Sequence, residues 1–305
     1  MRAVFKEILE RGVSVNATRG GNLEVSGVVL EISDPRARLS ATETRGKPFS
    51  CLGELCWYLA GSNSSSFIAY YIGRRHYKSV RGVVPDAYGP RLFNWNGLNQ
   101  IANVSKLLGS KLQSRRAVIQ LFDPHDLLSA NADVPCTCTI QFLCRAGRLN
   151  MIVQMRSNDA YIGLPHDIFC FTMLQEMLAN YLAVALGSYT HIANSLHLYD
   201  KDIEKAKQFL GEGWQSTEGM PPMPAGDPWP SVRQVLSAEE QIRTGAPLDE
   251  SCFNVLDSYW LDLIRLLRVF KCRKSKDRAG IVKLRREMSS RAYFPFVDKA
   301  IASVT

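Results

Sequence analysis

Residues 156–167 read Arg-Ser-Asn-Asp-Ala-Tyr-Ile-Gly-Leu-Pro-His-Asp and join a strand-like run to a long apolar segment. Turns between a strand and a helix are frequent binding sites, because helix N-termini hold anions and present polar side chains. The polar residues of this turn therefore predict a functional site. Taken alone, Asp167 has a plainer interpretation, since an acid in the first helical turn is stabilised by the helix dipole.

Strand and helix patterns surround this turn. Strands are predicted at 23–32, 117–122, 137–143 and 149–155. Helices are predicted at 1–12, 49–59, 101–108, about 237–242 and 251–271. The longest apolar pattern predicts a buried helix over 168–186, with Pro165 before it and Gly187 after it. The turn at 145–148 is predicted to form a hairpin, and 12–22 a loop.

These elements describe an α+β fold with a mixed β-sheet packed against helices. Residues 1–230 are predicted to form the core of the domain. The stretch 211–230 is dense in Gly and Pro, which excludes regular structure there. Residues 231–305 are predicted to form a helical C-terminal extension of the same domain.

Length and composition limit the class of protein. A chain of 305 residues is near the upper size for one hydrophobic core. Hydrophobic residues make up 46% and charged residues 22%, as in ordinary globular proteins, which excludes a disordered chain. No apolar run reaches the roughly 18 residues of a membrane span. The N-terminus lacks a long apolar segment, so we expect a cytoplasmic protein without a membrane partner.

Cysteines, histidines and net charge limit the cofactors and partners. The eight cysteines form no C-x-x-C pair and are expected to be reduced thiols, and the five histidines lack zinc-site spacing, so no metal is expected. The net charge of +8 suits a nucleotide, a nucleic acid or a polyglutamylated cofactor, or serves only solubility. Because aromatic and basic residues do not interleave densely, a nucleic-acid partner is not predicted.

Three further motifs carry chemistry, and each has a plainer alternative. The Cys136 thiol follows Pro135 at a strand start, where it can face a pocket or pack as a small apolar side chain. Arg115 and Arg116 suit a phosphate, because guanidinium groups bind its oxygens in pairs, or they form a solvated charge pair. The pair His197 and Tyr199 lies on one face of an extended segment, where both side chains can bind a ligand or simply pack.

The order and spacing of these motifs resemble the thymidylate synthase family. The pattern is R-S-x-D-x-x-x-G-L-P-x-[N/D], followed by H-L-Y and preceded by P-C and S-R-R, and the resemblance as a whole covers about residues 19–224. The segment G-E-L-C-W-Y-L-A-G-S-N at 53–63 looks like the family's H-E-L-L-W-F-L-x-G-x-T-N helix. P-D-A-Y-G at 85–89 looks like its G-P-V-Y-G loop. The resemblance implies a thymidylate-synthase-like fold and a homodimer formed through the sheet.

The resemblance also implies a catalytic set. Cys136 matches the cysteine that adds to C6 of a pyrimidine nucleotide, so that C5 attacks the one-carbon unit of 5,10-methylenetetrahydrofolate. Arg156 is expected to lower the pKa of this thiol. Glu54 matches the glutamate that orders water and relays protons near C4, and Tyr88 the tyrosine near the C5 proton.

Binding residues follow from the same resemblance. The phosphate is expected to contact Arg156 and, more loosely, Arg19. Arg115 and Arg116 are expected to reach across the homodimer into the partner's site. The remaining nucleotide contacts are assigned to Ser157, His197 and Tyr199, of which the last two bind the sugar 3′-hydroxyl. Contacts to the folate are assigned to Asp159, Gly163 and Trp57.

One departure from the family bears on the base. The asparagine of the family's G-L-P-F-N motif is Asp167 here. Asparagine matches the O4 and N3–H edge of uracil, whereas aspartate accepts from cytosine N4 and shares a proton with N3. An unpaired edge costs about 1–3 kcal/mol per group. The deoxycytidylate hydroxymethylase branch carries this aspartate, and we expect an ionised Asp167 paired with N3-protonated cytosine.

Further departures agree with hydration of the transferred carbon. Thr137 replaces the family's histidine, Met155 replaces its glutamine, and 294–305 does not resemble the apolar tail that closes over folate in a synthase. The sequence therefore predicts a cytidylate 5-hydroxymethyltransferase that acts on CMP or dCMP. The alternatives are a thymidylate synthase acting on dUMP and a non-catalytic nucleotide- or RNA-binding relative.

Overall fold

A computed structural model describes residues 1–17, 19–39, 42, 48–73, 77–128, 133–213 and 218–304. The strands of this part of the chain are β1 (Val13–Ala17), β2 (Gly20–Ile32), β3 (Val118–Gln120), β4 (Thr137–Arg145), β5 (Arg148–Met155), β6 (Asn158–Asp159) and β7 (Ala185–Tyr199). Its α-helices are α1 (Arg2–Arg11), α2 (Pro48–Leu59), α3 (Ser65–Tyr71), α4 (Tyr88–Phe93), α5 (Gln100–Ser110), α6 (Gly163–Tyr181), α7 (Ile203–Gly211), α8 (Trp229–Thr244), α9 (Ser258–Lys274), α10 (Arg278–Glu287) and α11 (Phe294–Ala302).

The strands form one mixed sheet in the order β1-β2-β7-β5-β4-β3, with β6 beside β7. Strands β5 and β6 run parallel to β7, and the other neighbouring pairs are antiparallel. A mixed sheet packed by helices confirms the predicted α+β class. The hairpin between β4 and β5 is also confirmed. Ala146 and Gly147 both have positive φ, as a tight two-residue hairpin turn requires.

The register of the sheet gathers the predicted site residues at one end. Thr137 at the start of β4 pairs with Met155 at the end of β5, and Met155 pairs with Ala193 of β7. Tyr199 at the end of β7 pairs with Asn22 near the start of β2. The residues just outside these strand ends therefore face a common region.

Helix α6 is the central helix of the core. Its side chains are buried almost all round, as expected for a helix enclosed by the sheet on one side and by other helices on the other. The apolar face of α2 packs against α6, and α9 packs against α2 and α8. The predicted boundary between 230 and 231 falls in the first turn of α8, whose buried residues Val232 and Val235 belong to the same core.

Three predicted elements differ from the structure. The helix predicted at 251–271 begins only at Ser258, where the Asp257 side chain accepts from the Tyr259 N–H and caps it, and ends at Lys274. The helix predicted over 168–186 begins five residues earlier, at Gly163, and ends at Tyr181, because the chain turns at Ala183 with positive φ and enters β7. Gly187 lies inside β7 rather than after a helix, and a Cβ there would meet Asn150 Oδ1 at 2.3 Å. The segment predicted as a loop at 12–22 contains β1 and the beginning of β2.

Candidate active site

Cys136 lies in the turn that leads into β4, and Arg156 from the end of β5 holds this turn. The guanidinium donates through Nε to the carbonyl of Pro135 at 3.0 Å and through Nη2 to that of Val134 at 2.7 Å. The same Nη2 lies 3.9 Å from the Cys136 Sγ. The turn that carries the thiol therefore also fixes the cation beside it.

The thiol of Cys136 is protonated in the free protein at neutral pH. Burial raises its pKa to about 11, with further contributions from the charges of Asp167 and Asp86, while Arg156 and Arg19 act in the opposite direction. Arg156 thus lowers the pKa of the thiol as predicted, but desolvation of the thiolate outweighs the cation, so the net shift is upward.

Tyr88, the first residue of α4, is joined to the strand that follows Cys136. Its hydroxyl accepts a 3.0 Å hydrogen bond from the backbone N–H of Thr137. Its ring stacks on Phe171 of α6, with ring centroids 6.1 Å apart. The next residue must be glycine, because a Cβ on Gly89 would lie 2.8 Å from backbone atoms of Ser62.

Glu54 of α2 is buried and forms an ion pair with His166 of α6. Its Oε2 lies 2.6 Å from His166 Nδ1, and its Oε1 accepts hydrogen bonds from the hydroxyls of Tyr58 and Tyr77. Burial favours the neutral acid, but the hydrogen bond and charge of His166 together with the two tyrosines lower the pKa of Glu54. The pKa of His166 is raised well above its usual value despite burial, by Cys51 and Glu54.

Asp167 is buried one turn further along α6 than the sequence suggests. Because α6 begins at Gly163, Asp167 lies beyond the first turn, and the interpretation as a first-turn acid is wrong. Burial and the charge of Glu54 raise its pKa to about 8, although the 2.7 Å hydrogen bond from Asn158 Nδ2 and the charge of His166 lower it. The free protein therefore holds Asp167 largely protonated at neutral pH, whereas the predicted ionised form concerns the pair with cytosine.

His197 and Tyr199 occupy one face at the end of β7, as predicted. Their rings meet edge to face, with centroids 4.9 Å apart. Arg19, in the turn between β1 and β2, donates to Asp133 at 2.6 Å and interacts electrostatically with Tyr199 and Cys136. The structure thus brings Arg19 and the strand end of β7 to the thiol.

Two of the residues predicted for folate, Asp159 and Gly163, lie at the two ends of the turn between β6 and α6, whereas Trp57 lies in α2. Asp159 accepts from the backbone N–H groups of Tyr161 and Ile162 at 2.8 and 3.3 Å, and burial raises its pKa. A Cβ on Gly163 would lie 3.2 Å from Asn158 Nδ2, so glycine lets the chain pass close to this amide. Trp57 is only 1% exposed. Its ring and that of Tyr77 are arranged edge to face, with their centroids 5.3 Å apart.

Arg115 and Arg116 are not brought to the thiol of their own chain. Both are exposed and precede β3. The next residue, Ala117, accepts a hydrogen bond from Phe142, six residues along β4 from Cys136. At about 3.3 Å per residue this is roughly 20 Å. Ser157 is half-buried between Arg156 and Asn158.

Four further residues of the site had no role assigned from the sequence: Asn158, His166, His191 and Tyr77. Three of them carried a usable signal, and Asn158, like His166, lies inside the motif at 156–167. His166 is the neighbour of Asp167 inside the motif, and His191 is six residues before His197, which places both on the same face of a strand. The motifs give no signal for Tyr77, which reaches Glu54 from the segment between α3 and α4.

Metal-ligand clusters and membrane-spanning helices are both absent from the described ranges. In those ranges, no three or more His, Cys, Asp or Glu side chains are grouped so that they could hold a metal ion. No helix of the described ranges is long and apolar enough to cross a membrane.

Known proteins resemble this chain over much of its length. The chain is similar to a deoxyuridylate hydroxymethyltransferase of Bacillus phage SP01, with 30% identity over 215 residues. That similarity covers 65% of this chain and 56% of the relative, so the chain spans little more than half the length of that protein. Residues 2–220 match the family described as thymidylate synthase. The chain therefore belongs to the thymidylate synthase family.

Proposed function

We propose that this protein is a cytidylate 5-hydroxymethyltransferase that uses CMP or dCMP and 5,10-methylenetetrahydrofolate. The observation that carries the proposal is the position of Asp167. A carboxyl group occupies the place of the asparagine in the family's G-L-P-F-N motif. It is buried, within electrostatic range of Glu54 and of the Cys136 thiol.

Asp167 and cytosine are complementary when they share one proton. One carboxyl oxygen accepts from N4–H₂ of the base, and the shared proton lies between the other oxygen and N3. Because the pKa of Asp167 is raised to about 8, the free protein supplies this proton at neutral pH. Moving the proton onto N3 makes C6 more electrophilic and so assists attack by Cys136.

The proposed reaction begins at Cys136. The thiol proton passes to solvent water, Arg156 stabilises the resulting thiolate, and the sulfur then bonds to C6. The folate supplies the one-carbon unit, which becomes bonded to C5. The C5 proton is lost to water beside Tyr88, tetrahydrofolate departs, and water adds to the exocyclic methylene. The two folate nitrogens that release the carbon take up two protons, which balance those lost from C5 and from the added water. We assign to the ionised Glu54 the role of accepting the water proton. Release of the C6–S bond returns the thiol and gives the 5-hydroxymethyl nucleotide.

The turn before α6 suits the folate. Each Asp159 oxygen already accepts one backbone N–H, yet a carboxylate has about four acceptor positions, so it retains capacity for N–H donors of a pterin. The absent side chain of Gly163 leaves room beside Asp159, whose Cβ is 3.6 Å from the position of a Cβ there. We assign Trp57 a supporting role behind Tyr77.

The phosphate is assigned to Arg156 and Arg19, with Arg115 and Arg116 contributed by a second copy of the chain. The distance of the latter two from their own Cys136 supports action across a dimer. The outer face of the sheet supports it too, because it exposes apolar side chains such as Val29, at 62%. A homodimer formed through this face covers them.

A second substrate, dUMP, is favoured by one observation. When Asp167 itself keeps the proton, the carboxylic acid has one donor and one acceptor, the same pattern as asparagine, and it matches uracil. The similarity to a deoxyuridylate hydroxymethyltransferase points the same way. A thymidylate synthase acting on dUMP would share this base recognition but reduce the transferred carbon.

Mass spectrometry of separate incubations tests the proposal. CMP, dCMP and dUMP are each supplied with methylenetetrahydrofolate and the protein. A gain of about 30 mass units on CMP or dCMP, from one carbon plus water, supports it and names the sugar. A gain of about 30 on dUMP alone indicates the second substrate, and about 14 on dUMP indicates a synthase. Unchanged nucleotides in all three incubations would contradict a catalytic role.

A further inference from the structure

A chain of hydrogen bonds enters Asp167 from behind, on the side of the sheet. The Tyr189 hydroxyl lies 2.9 Å from His191 Nδ1, and His191 Nε2 lies 3.2 Å from Asn158 Oδ1. Asn158 Nδ2 is 2.7 Å from Asp167 Oδ2. Tyr189 and His191 are fully buried, and Asn158 and Asp167 are 3% and 7% exposed, so water cannot readily replace these partners.

The direction of this chain follows from its chemistry. An ionised Asp167 only accepts, so the Asn158 amide nitrogen donates to it. The amide oxygen of Asn158 then accepts from Nε2–H of His191. A neutral imidazole protonated at Nε2 has an acceptor at Nδ1, which receives the Tyr189 O–H. With these donors and acceptors, each side chain in the row has a hydrogen-bond partner only when His191 is neutral.

Burial makes His191 neutral. It lowers the pKa of this imidazole to about 4, and no charged group contributes to that shift. Tyr189 faces the ring from the same strand and Asn158 from β6. At the Asp167 end of the row of hydrogen bonds, three charged residues act on the Asp167 carboxyl group. They are Glu54 on α2, His166 on α6 and Asp159 on β6.

We propose that Tyr189, His191 and Asn158 are positioning residues that direct the proton shared by Asp167 and the base toward N3, and thereby favour cytosine over uracil. This inference rests on the proposed function. A donor aimed at Oδ2 stabilises the ionised form of Asp167. Cytosine gains from this form because its N3 can carry the proton and pair with the carboxylate as a cation. Uracil does not, because its O4 needs a donor and Asp167 must then keep the proton itself.

Two substitutions of His191 separate this role from simple packing. Glutamine retains an N–H near the position of Nε2 and can still donate to Asn158, whereas phenylalanine fills the space without a donor. The matched control is His125→Gln, since the His125 side chain is 85% exposed and bonds only to Asp123 in the described part of the chain. Each variant is compared by the ratio of kcat/KM for cytidylate to that for dUMP, which does not depend on the fraction of folded enzyme.

The ligand-free pKa of Asp167 provides a readout that needs no substrate. Carbon-13 NMR of aspartate-labelled protein follows its carboxyl group, assigned by the signal lost in Asp167→Asn. His191→Phe is expected to raise this pKa by about one unit and to lower the cytidylate-to-dUMP ratio about tenfold. In His191→Gln, the Asp167 pKa and the cytidylate-to-dUMP ratio are both expected to lie close to their wild-type values. His125→Gln is expected to change neither quantity.

We call the hydrogen-bonded row of Tyr189, His191 and Asn158 the relay. Failure of the relay and failure of the proposed function give different experimental results. A protein that converts neither CMP nor dCMP contradicts the function, while the NMR titration still tests the relay. An unchanged Asp167 pKa in folded His191→Phe overturns the relay, as does a shifted pKa with an unchanged ratio. Should His191→Phe not fold, Tyr189→Phe is expected to raise the Asp167 pKa by a smaller amount, and no rise there also overturns the inference.

Discussion

Nδ1 of His166 lies 2.6 Å from the Glu54 carboxylate, and the two form an ion pair buried beside Asp167. The pair keeps Glu54 ionised inside the core, where burial alone would protonate it. Its carboxylate raises the pKa of Asp167, while His166 lowers it. Glu54 is thus ionised, while its neighbour Asp167 is largely neutral. Two nearby carboxyl groups whose pKa values differ in this way can serve as base and acid.

Replacing His166 by phenylalanine is expected to move the acidic limb of the pH–rate profile. His166 lowers the pKa of Glu54, so its removal raises that pKa. Activity that needs ionised Glu54 is then lost at a higher pH as the solution is made acidic. The measurement is kcat/KM against pH for wild type and His166→Phe. Coincident acidic limbs would show that Glu54 does not depend on this pair.

Cys136→Ser is expected to abolish turnover, because a hydroxyl is a far weaker nucleophile than a thiolate. Loss of a covalent nucleophile lowers kcat on the order of a thousandfold or more. Cys272→Ser on α9 is the matched control and is expected to retain activity. Turnover by Cys136→Ser within tenfold of wild type would assign the nucleophile elsewhere.

Alkylation of Cys136 by iodoacetamide is expected to be slow at pH 7 and to accelerate as the pH rises. Because burial raises the pKa of the thiol to about 11, the thiolate fraction grows about tenfold per pH unit below that value. Arg156→Gln removes the nearest cation and should slow the reaction further at each pH. Tandem mass spectrometry in a Cys138→Ser background localises the label. A rate already at its plateau at pH 7 would contradict the raised pKa.

Asp167→Asn is expected to shift base preference toward uracil. The amide cannot share a proton with N3 of cytosine, and a mismatched edge costs about 1–3 kcal/mol, or roughly ten- to a hundredfold. The ratio of kcat/KM for dUMP to that for cytidylate measures the change, with exposed Asp249→Asn as the control. Undiminished cytosine preference in Asp167→Asn would contradict the assignment of the base contact.

The same substitution has a pH-dependent effect on stability. With a native pKa of about 8, Asp167 keeps its proton from about pH 4 to 8, where the unfolded chain has lost it. Its contribution to the free energy of unfolding therefore declines with rising pH, by on the order of 1 kcal/mol per unit. Asparagine does not titrate, so the stability of Asp167→Asn relative to wild type should rise between pH 4 and 8. Denaturant unfolding at several pH values checks this, and a constant difference would contradict the raised pKa.

Motif order predicted that Cys136, Arg156 and Tyr199 lie close together, and the structure brings them together because the sheet register places the ends of β4, β5 and β7 near one another. The α+β class and the hairpin at 145–148 were also predictable. The helix at 163–181 was misplaced, because β7 continues the apolar pattern after the turn at Ala183 and periodicity alone does not separate the two. Pro165 lies inside the first turn of this helix, where proline is tolerated.

The electrostatics of the site were not predictable from the sequence. The motifs predicted that Arg156 lies beside Cys136 and that Asp167 contacts the base. The pKa values of Cys136 and Asp167, however, are decided by how deeply each side chain is buried. The partners of Asp167 were also hidden. Asn158 was within the motif, yet its link to His191 depends on the pairing of β6 with β7, which only the fold reveals.

The most direct test of cytosine recognition is an internal competition. Equal concentrations of dCMP, CMP and dUMP share one incubation with the protein and methylenetetrahydrofolate, and mass spectrometry follows all products at low conversion. We predict that 5-hydroxymethyl-cytidylate, as the ribo- or deoxyribonucleotide, exceeds every uridylate product by at least about tenfold. A uridylate product in excess, whether hydroxymethylated or methylated, would contradict recognition of cytosine by Asp167.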